Sequence, residues 1–332
     1  MKEIHVTKNE EGYKLKKLCM NYLDKAPASF IYKMLRKKNI VLNDKKADGN
    51  ETLRVGDSVK LYLSDETIAG FKSEKMERLT GTEKTSKLDI IYEDENYIFC
   101  NKPVNMLSQK AKKDDVSINE IIISYLLESG SVTEESLSTF RPSVVNRLDR
   151  NTSGIILASK TPAGARILSE VIRSRAAKKY YLACVSGKTK KLGHYKAYLS
   201  KDEKKNIVTI SDKPSKTASL IETEVSLEKY VSRFDVSLLR IELITGKSHQ
   251  IRSHLAYLGM PIIGDIKYGD KSVNKKFKES HKINSQMLFA YEITFPLKDS
   301  LDNDVFTDDY DNLSGKTFSA KPPKAFQFVI NG

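Results

Sequence analysis

The chain has 332 residues, 39% hydrophobic and 30% charged, and 56 Lys and Arg against 43 Asp and Glu give it a net charge of +13. That length favours about two domains, and the composition excludes fibrous and wholly disordered classes. The basic excess suits a polyanion such as RNA, DNA or an anionic membrane surface, although a lysine-rich composition alone would produce it. No apolar run reaches bilayer length and no signal-like segment follows Met1, so a cytoplasmic protein is expected. Cys19, Cys100 and Cys184 are isolated and odd in number, which reads as reduced core thiols without a disulfide or metal role.

Residues 13–64 read as two helices followed by strands. Leu15, Leu18, Cys19, Tyr22 and Leu23 recur at helical spacing. After Pro27 a second helix is expected, with Ser29 as N-cap and Ile31, Met34 and Leu35 facing inward. Ile40-Val41-Leu42 then runs into the turn pair Asn43-Asp44, and Val59, Leu61 and Leu63 alternate as in a strand. Lys33, Arg36, Lys37, Lys38, Lys45 and Lys46 collect on the outer side, where a solvated face would look the same. The stretch Met34 to Asn43 with Val55-Gly56-Asp57 resembles the S4 RNA-binding domain. The resemblance implies that a small N-terminal domain, residues 1–65, contacts structured RNA through residues such as Arg36 and Lys37.

Residues 66–87 are polar and aperiodic, which reads as a linker. From 88 to 332 the pattern is mixed. Strands are expected at Ile90-Ile91, Tyr97 to Phe99, Ile155 to Ala158, Tyr181 to Val185, Val208 to Ile210, Val236 to Leu243 and Leu288 to Phe295. Ser117 to Glu120 has the form of a capping box ahead of an amphipathic helix, and Thr161-Pro162 opens another. Strands outnumber helices and few stand in βαβ order. The expected fold class is therefore α+β, a mixed, largely antiparallel sheet with flanking helices. The acidic run from Asp299 to Asp311, including Asp302 and Asp304, would repel phosphate and is expected away from an RNA track.

Asn146-Arg147-Leu148-Asp149-Arg150-Asn151-Thr152-Ser153-Gly154 precedes an apolar strand. Taken bare, Asp149 could be a turn residue. It could equally project from a loop held by rigid structure into a cleft, with Arg147 and Arg150 beside it to bind phosphate. The segment resembles the H-R-L-D-x-x-T-S-G signature of the RluA-type pseudouridine synthases, with Asn146 in place of the usual His. The resemblance implies that Asp149 is the catalytic aspartate. It also implies a pseudouridine synthase-like fold for residues 88–332.

Three further segments follow in the family's order. Asn101-Lys102-Pro103 resembles its first short motif, at the floor of the site. Lys179-Tyr180-Tyr181-Leu182-Ala183 resembles K-x-Y-L-A, which implies that Tyr181 rather than Tyr180 stacks on the target base. Thr245 to Leu255 resembles T-G-R-x-H-Q-I-R-x-H-L, with Lys247 replacing Arg, and Gly259, Pro261, Gly264 and Asp265 continue it. Read physically, Ser248 can cap a helix ending at Gly259, with Ile251, Leu255 and Leu258 on one face. Arg252 lies about 100° from Ile251, at the edge of that face. In the family this arginine pairs with the aspartate, which would keep Asp149 ionised.

The expected catalytic set is therefore Asp149, Tyr181 and Arg252. The expected RNA contacts are Arg147, Asn146, Arg150, Lys102, Lys179, Lys247, His249, Gln250, Arg36 and Lys37. His249 and His254 lack metal-ligand spacing, so no metal is expected. Isomerisation of uridine is redox-neutral, so no cofactor is expected either. Lys160 to Lys191 carries nine basic side chains against the single Glu170, a candidate cleft rim. The expected activity is an RNA pseudouridine synthase acting on large-subunit ribosomal RNA, with transfer RNA as the alternative substrate and a monomer as the expected state. A non-catalytic RNA-binding ribosome-assembly factor would share the charge but not need Asp149, Tyr181 and Arg252 together.

Overall fold

The computed structural model describes residues 1–72, 88–112, 114–203, 206–301 and 305–332. Two compact units emerge: Met1–Ser86 with Glu120–Ser143 and Ser159–Ala165, and Lys87–Asn119 with Val144–Ala158 and Arg166–Gly332.

The N-terminal part of the first unit contains β1 (Lys2–His5), α1 (Leu15–Tyr22), α2 (Ala28–Arg36), β2 (Ile40–Leu42), β3 (Lys45–Lys46), β4 (Ser58–Leu61) and α3 (Asp65–Phe71). The strands form an antiparallel sheet in the order β1-β4-β2-β3. Leu15, Leu18, Cys19, Ile31 and Leu35 are buried beneath it, as their spacing predicts. Asn43 and Asp44 both take positive φ in the β2–β3 turn, the backbone that a two-residue hairpin demands. Lys33, Arg36, Lys37, Lys38, Lys45 and Lys46 are all exposed.

Two local expectations are corrected. Ser29 is not the cap of α2, because the carbonyl of Pro27 already accepts from Phe30 N (2.9 Å) and the helix starts at Ala28, two residues earlier than a Ser29 cap requires. The stretch read as linker opens with α3, whose first turn is capped by Ser64 through Thr67 N (3.2 Å) and whose Ile68 is buried. One buried residue per helix leaves no period to read. Residues 73–87 of that expected linker lie outside the described residues. Within the same unit, Thr139 is tied to the N-terminal segment: its hydroxyl donates to Glu10 (2.5 Å) and its carbonyl accepts from Asn21 (2.8 Å).

The rest of the chain supplies β5 (Ile90–Glu93), β6 (Tyr97–Lys102), α4 (Ile118–Glu128), β7 (Ser143–Val144), β8 (Ser153–Ser159), α5 (Pro162–Arg173) and β9 (Lys178–Ser186). Then follow β10 (Gly193–Asp202), β11 (Ile207–Ser211), β12 (Ser219–Val231), β13 (Val236–Leu243), α6 (Gln250–Tyr257), α7 (Lys271–His281), β14 (Leu288–Thr294), β15 (Thr317–Ser319) and α8 (Gln327–Ile330). The large sheet runs β11-β10-β12-β13-β9-β14-β8-β6-β5, with β15 on β14 and β7 on β8. Pairing is antiparallel from β11 to β14, and β8 joins β14 in parallel. The expected mixed, largely antiparallel sheet is what the chain forms. In the acidic run, Lys298 pairs with Asp308 and Asp311, while Asp302 and Asp304 lie outside the described residues. Among the described residues no helix is long and apolar enough to cross a membrane.

β10, β12 and α7 were not foreseen. In β12 the inward positions are Ile221, Thr223 and Val225, and the buried Thr223 interrupts the apolar alternation. Its hydroxyl is there to meet His254 Nδ1 (3.1 Å) and Gln250 Nε2 (3.2 Å) of α6. Burial pushes His254 down to about 4, well below the usual imidazole range. The unfolded chain therefore binds a proton between roughly pH 6.5 and 4 that the folded chain refuses, so stability is present above that window and lost as pH falls through it. The loss amounts to about 3 kcal/mol. Urea unfolding of wild type and His254→Gln at pH 7 and pH 4.5 checks this. The wild type is expected to lose more stability than the variant over that span, and equal losses would contradict it.

Candidate active site

Asp149 sits in the turn that feeds β8, closed by Thr152 N donating to Asp149 O (3.0 Å). Its neighbours on both sides are clamped. Ser108 Oγ accepts from Leu148 N and donates to Leu148 O, both at 2.9 Å. Lys102 Nζ donates to Arg150 O (3.2 Å) and also to Pro103 O (3.0 Å) and Met106 O (2.9 Å). A carboxylate whose backbone is held at the residue before and the residue after loses little orientational freedom when a substrate arrives.

β8 is drawn tight against β14 by Gly154, which has φ +117° and pairs with Ala290. A Cβ there would overlap the Ala290 carbonyl and lie 2.6 Å from its nitrogen. Gly154→Ala is expected to cost several kcal/mol, on the order of 3, because both the backbone conformation and the strand spacing forbid it. Thermal unfolding checks this, and a loss below about 1 kcal/mol would contradict it.

The same register brings Tyr181 to the site. Tyr181 on β9 pairs with Ala290 on β14, which in turn pairs with Gly154 on β8. Tyr180 points to the opposite face, where the Arg240 guanidinium lies 4.2 Å from its ring centroid. Burial pushes the Tyr181 phenol up, and the nearby Asp149 charge adds to the effect.

Arg252 is brought in by α6. That helix ends in a Schellman motif, with Gly259 at φ +76° and Met260 N donating to Leu255 O (2.8 Å). Its start differs from expectation. His249, at φ +53°, occupies the cap position, and Gln250 Oε1 accepts from Lys247 N (3.1 Å), so Ser248 caps nothing. Arg252 is 7% exposed and bridges two carboxylates. Nη1 donates to Asp149 Oδ2 (2.6 Å), while Nε and Nη2 grip Asp265 at 2.7 and 3.0 Å. Burial works against the guanidinium charge, but the Asp265 bonds and the charges of Asp265 and Asp149 outweigh it and raise its pKa. Burial likewise favours a neutral Asp265, and Arg252 with the N–H groups of Tyr268 and Lys267 holds it below the usual carboxylate range.

His249 Nε2 lies 4.0 Å from Asp149 Oδ2, and Nδ1 is 2.9 Å from Tyr268 Oη. Tyr268 Oη also accepts from Val208 N (3.0 Å), and in the tautomer where the phenol donates to Nδ1 the imidazole proton sits on Nε2, towards Asp149. Burial is the main cause that lowers the His249 pKa, partly offset by Asp149. The Tyr268 ring also lies under Arg252, 5.3 Å from the guanidinium carbon.

Four residues expected as RNA contacts are thus placed differently, or less freely, than expected. Lys102 is fully buried and spends its three protons on three carbonyls, with burial lowering its pKa to about 8. It therefore positions the Asp149 turn instead of meeting phosphate. Asn146 is bound to the β8 backbone at both ends of its amide, through Ile155 O (3.2 Å) and Leu157 N (2.7 Å). Gln250, 2% exposed, accepts from Thr245 and Lys247 and donates to Glu222 and Thr223. Lys179 is half-buried, and burial lowers its pKa with help from Arg175. Arg147, Arg150, Lys247, Arg36 and Lys37 are exposed. Among the described residues no group of three or more His, Cys, Asp or Glu gathers as metal ligands.

This ordered constellation has relatives. The profile of the RNA pseudouridylate synthase family matches residues 96–257. The uncharacterized RNA pseudouridine synthase MG370 of Mycoplasma genitalium is 30% identical over 98% of this chain and 97% of its own length. The chain belongs to the RNA pseudouridylate synthase family. The ribosomal large subunit pseudouridine synthase C of Buchnera aphidicola is 30% identical to the synthase, over 88% of each chain. The solved structure titled human RNA pseudouridylate synthase domain containing 4 covers 73% of the synthase and 92% of its own chain. It shares the fold at a TM-score of 0.55 and 18% identity.

Sequence reasoning missed three residues of the synthase's site: Ser108, Tyr268 and the full part played by Asp265. Asp265 stood in the motif, but only its 0% exposure and double grip on Arg252 reveal its part. Ser108 and Tyr268 carried no signal beyond their nearness to Asn101-Lys102-Pro103 and Gly264-Asp265.

Proposed function

We propose that the synthase converts specific uridines of large-subunit ribosomal RNA to pseudouridine, with Asp149 as the catalytic carboxylate. The observation that carries the catalytic assignment is the Arg252 bridge, which holds Asp149 against a buried second carboxylate beside Tyr181. The ribosomal substrate is favoured by the relatives named ribosomal large subunit pseudouridine synthase C. A transfer RNA substrate is the competing possibility.

The reaction breaks N1–C1′, turns the base and joins C5 to C1′, after which the C5 proton leaves and N1 ends protonated. Asp149 either bonds covalently to the nucleoside or removes the 2′ proton. A helical uridine must first be flipped out, at a cost of a few kcal/mol. Arg147, Arg150 and Lys247 would offset that cost at the phosphates, and the N-terminal unit would act as an S4-like RNA-binding element through Arg36 and Lys37. A cytoplasmic monomer fits this work.

Tyr181 would stack on the flipped base. A phenol pushed up by burial and by Asp149 holds its own proton in the resting site, so it would relay the C5 proton rather than store it. Tyr181→Phe is expected to keep RNA affinity within about twofold and lower single-turnover rate about 100-fold. Equal rates would remove the hydroxyl from the mechanism.

The test of the function is release of tritium from ribosomal RNA labelled at C5 of uridine, followed by sequencing of the modified positions. Release confined to transfer RNA would overturn the ribosomal assignment.

A further inference from the structure

The loop from Asp265 to Gly269 and the helix α7 that follows it carry two features that catalysis leaves unused. Ile266 is 82% exposed, more than any other large hydrophobic residue among those described. It stands between Asp265, which anchors Arg252, and Tyr268, which holds His249. Its backbone is rigid: Lys267 N (2.8 Å) and Tyr268 N (3.1 Å) donate to Asp265 Oδ1, and Gly269 N donates to Asp265 O (2.9 Å). A fixed loop that presents a whole isoleucine to water forgoes the burial that would otherwise stabilise it.

α7 presents Lys271, Lys275 and Lys278 at i, i+4 and i+7, within about 60° of one another. Lys282 follows at the C-cap. Among the described residues, none of these lysines has a carboxylate within ion-pair distance. Of the acids beside the row, Asp270 is engaged by Ser272 and Val273, and Glu279, four residues after Lys275, forms no ion pair with it among the described residues. Flanking the row, three residues after Lys271 and four before Lys278, Asn274 is bolted to the catalytic loop: Nδ2 donates to Asp265 O (2.9 Å) and Oδ1 accepts from Gly264 N (2.6 Å). The lysine row is thus in fixed register with Asp265 and Arg252.

We infer that residues 266–278 form a contact element for the RNA strand flanking the target uridine. Ile266 enters the base stack, and Lys271, Lys275 and Lys278 hold successive phosphates. This rests on the synthase reading of the site. An apolar wedge between base steps is a known way to hold a distorted nucleic acid, and a row of unpaired lysines supplies the matching charge. An anionic bilayer would also accept isoleucine and lysine, but it gives no reason for the element to share its loop with the Arg252 anchor.

The experiment uses the full chain and two forms of a C5-tritiated ribosomal RNA fragment that the wild type modifies. One form has the target uridine paired and the other has it in an open loop. Ile266→Ala is expected to slow tritium release about tenfold on the paired form and less than twofold on the open form. Replacing Lys271, Lys275 and Lys278 together with Gln is expected to reduce the slope of log affinity against log salt by about two. Unchanged slope and unchanged rates in active protein overturn the inference. So does loss of binding to vesicles of one-third phosphatidylserine and two-thirds phosphatidylcholine with the RNA slope intact. A wild type that releases no tritium from any ribosomal or transfer RNA tells against the synthase reading itself, a result distinct from either.

Discussion

Replacing Asp149 with Asn is expected to abolish tritium release while leaving the protein folded and able to bind RNA. Asn keeps the size of the side chain, and its oxygen can still accept from Arg252 Nη1. Ser108 and Lys102 still hold the backbone on either side. Only the negative charge and its nucleophilicity or basicity are lost. A reaction that rests on one carboxylate should then slow by at least about 10⁴-fold. Stability should change by no more than about 1 kcal/mol, because Arg252 retains Asp265. Single-turnover assays under matched RNA saturation measure this. Residual turnover above about one part in a hundred would end the assignment of Asp149 as the reacting group.

Arg252→Met is expected to damage both folding and turnover. The guanidinium supplies three hydrogen bonds to two carboxylates, and Asp265 is 0% exposed. Removing the cation leaves Asp265 with only the Lys267 and Tyr268 N–H groups. The expected cost is about 3–5 kcal/mol, the usual scale for one partner lost from a buried pair. Adding Asp265→Asn removes the stranded charge and should recover part of that stability. It should not recover turnover, because no cation then holds the Asp149 carboxylate. Denaturant unfolding and tritium release on the single and double variants separate the two effects. Recovery of turnover in the double variant would reduce Arg252 to a structural role.

That Asp149, Tyr181 and Arg252 form the site came from the resemblance to the family's motifs. Their settings, Asp149 before an apolar strand and Arg252 at the edge of an apolar helix face, follow from neighbours a few residues away, because turn chemistry and helical spacing are local. The basic outer face of residues 33–46 and the hairpin at Asn43-Asp44 were readable for the same reason. α7 was not, since Val273 and Phe277 are its only apolar residues and its lysines mask any period.

What tertiary structure decided was the partner of each polar side chain. Lys102, Asn146 and Gln250 were expected to meet RNA, yet the buried Lys102 and Gln250 and the half-buried Asn146 all bond to the protein's own backbone and side chains. The Arg252–Asp149 bond joins residues 103 apart, and Ser108 reaches Leu148 across 40. Local composition determines which groups a segment can offer and which face they take. A buried polar group must be paired somewhere, and only the folded chain determines whether that pairing lies within itself or is left for a substrate.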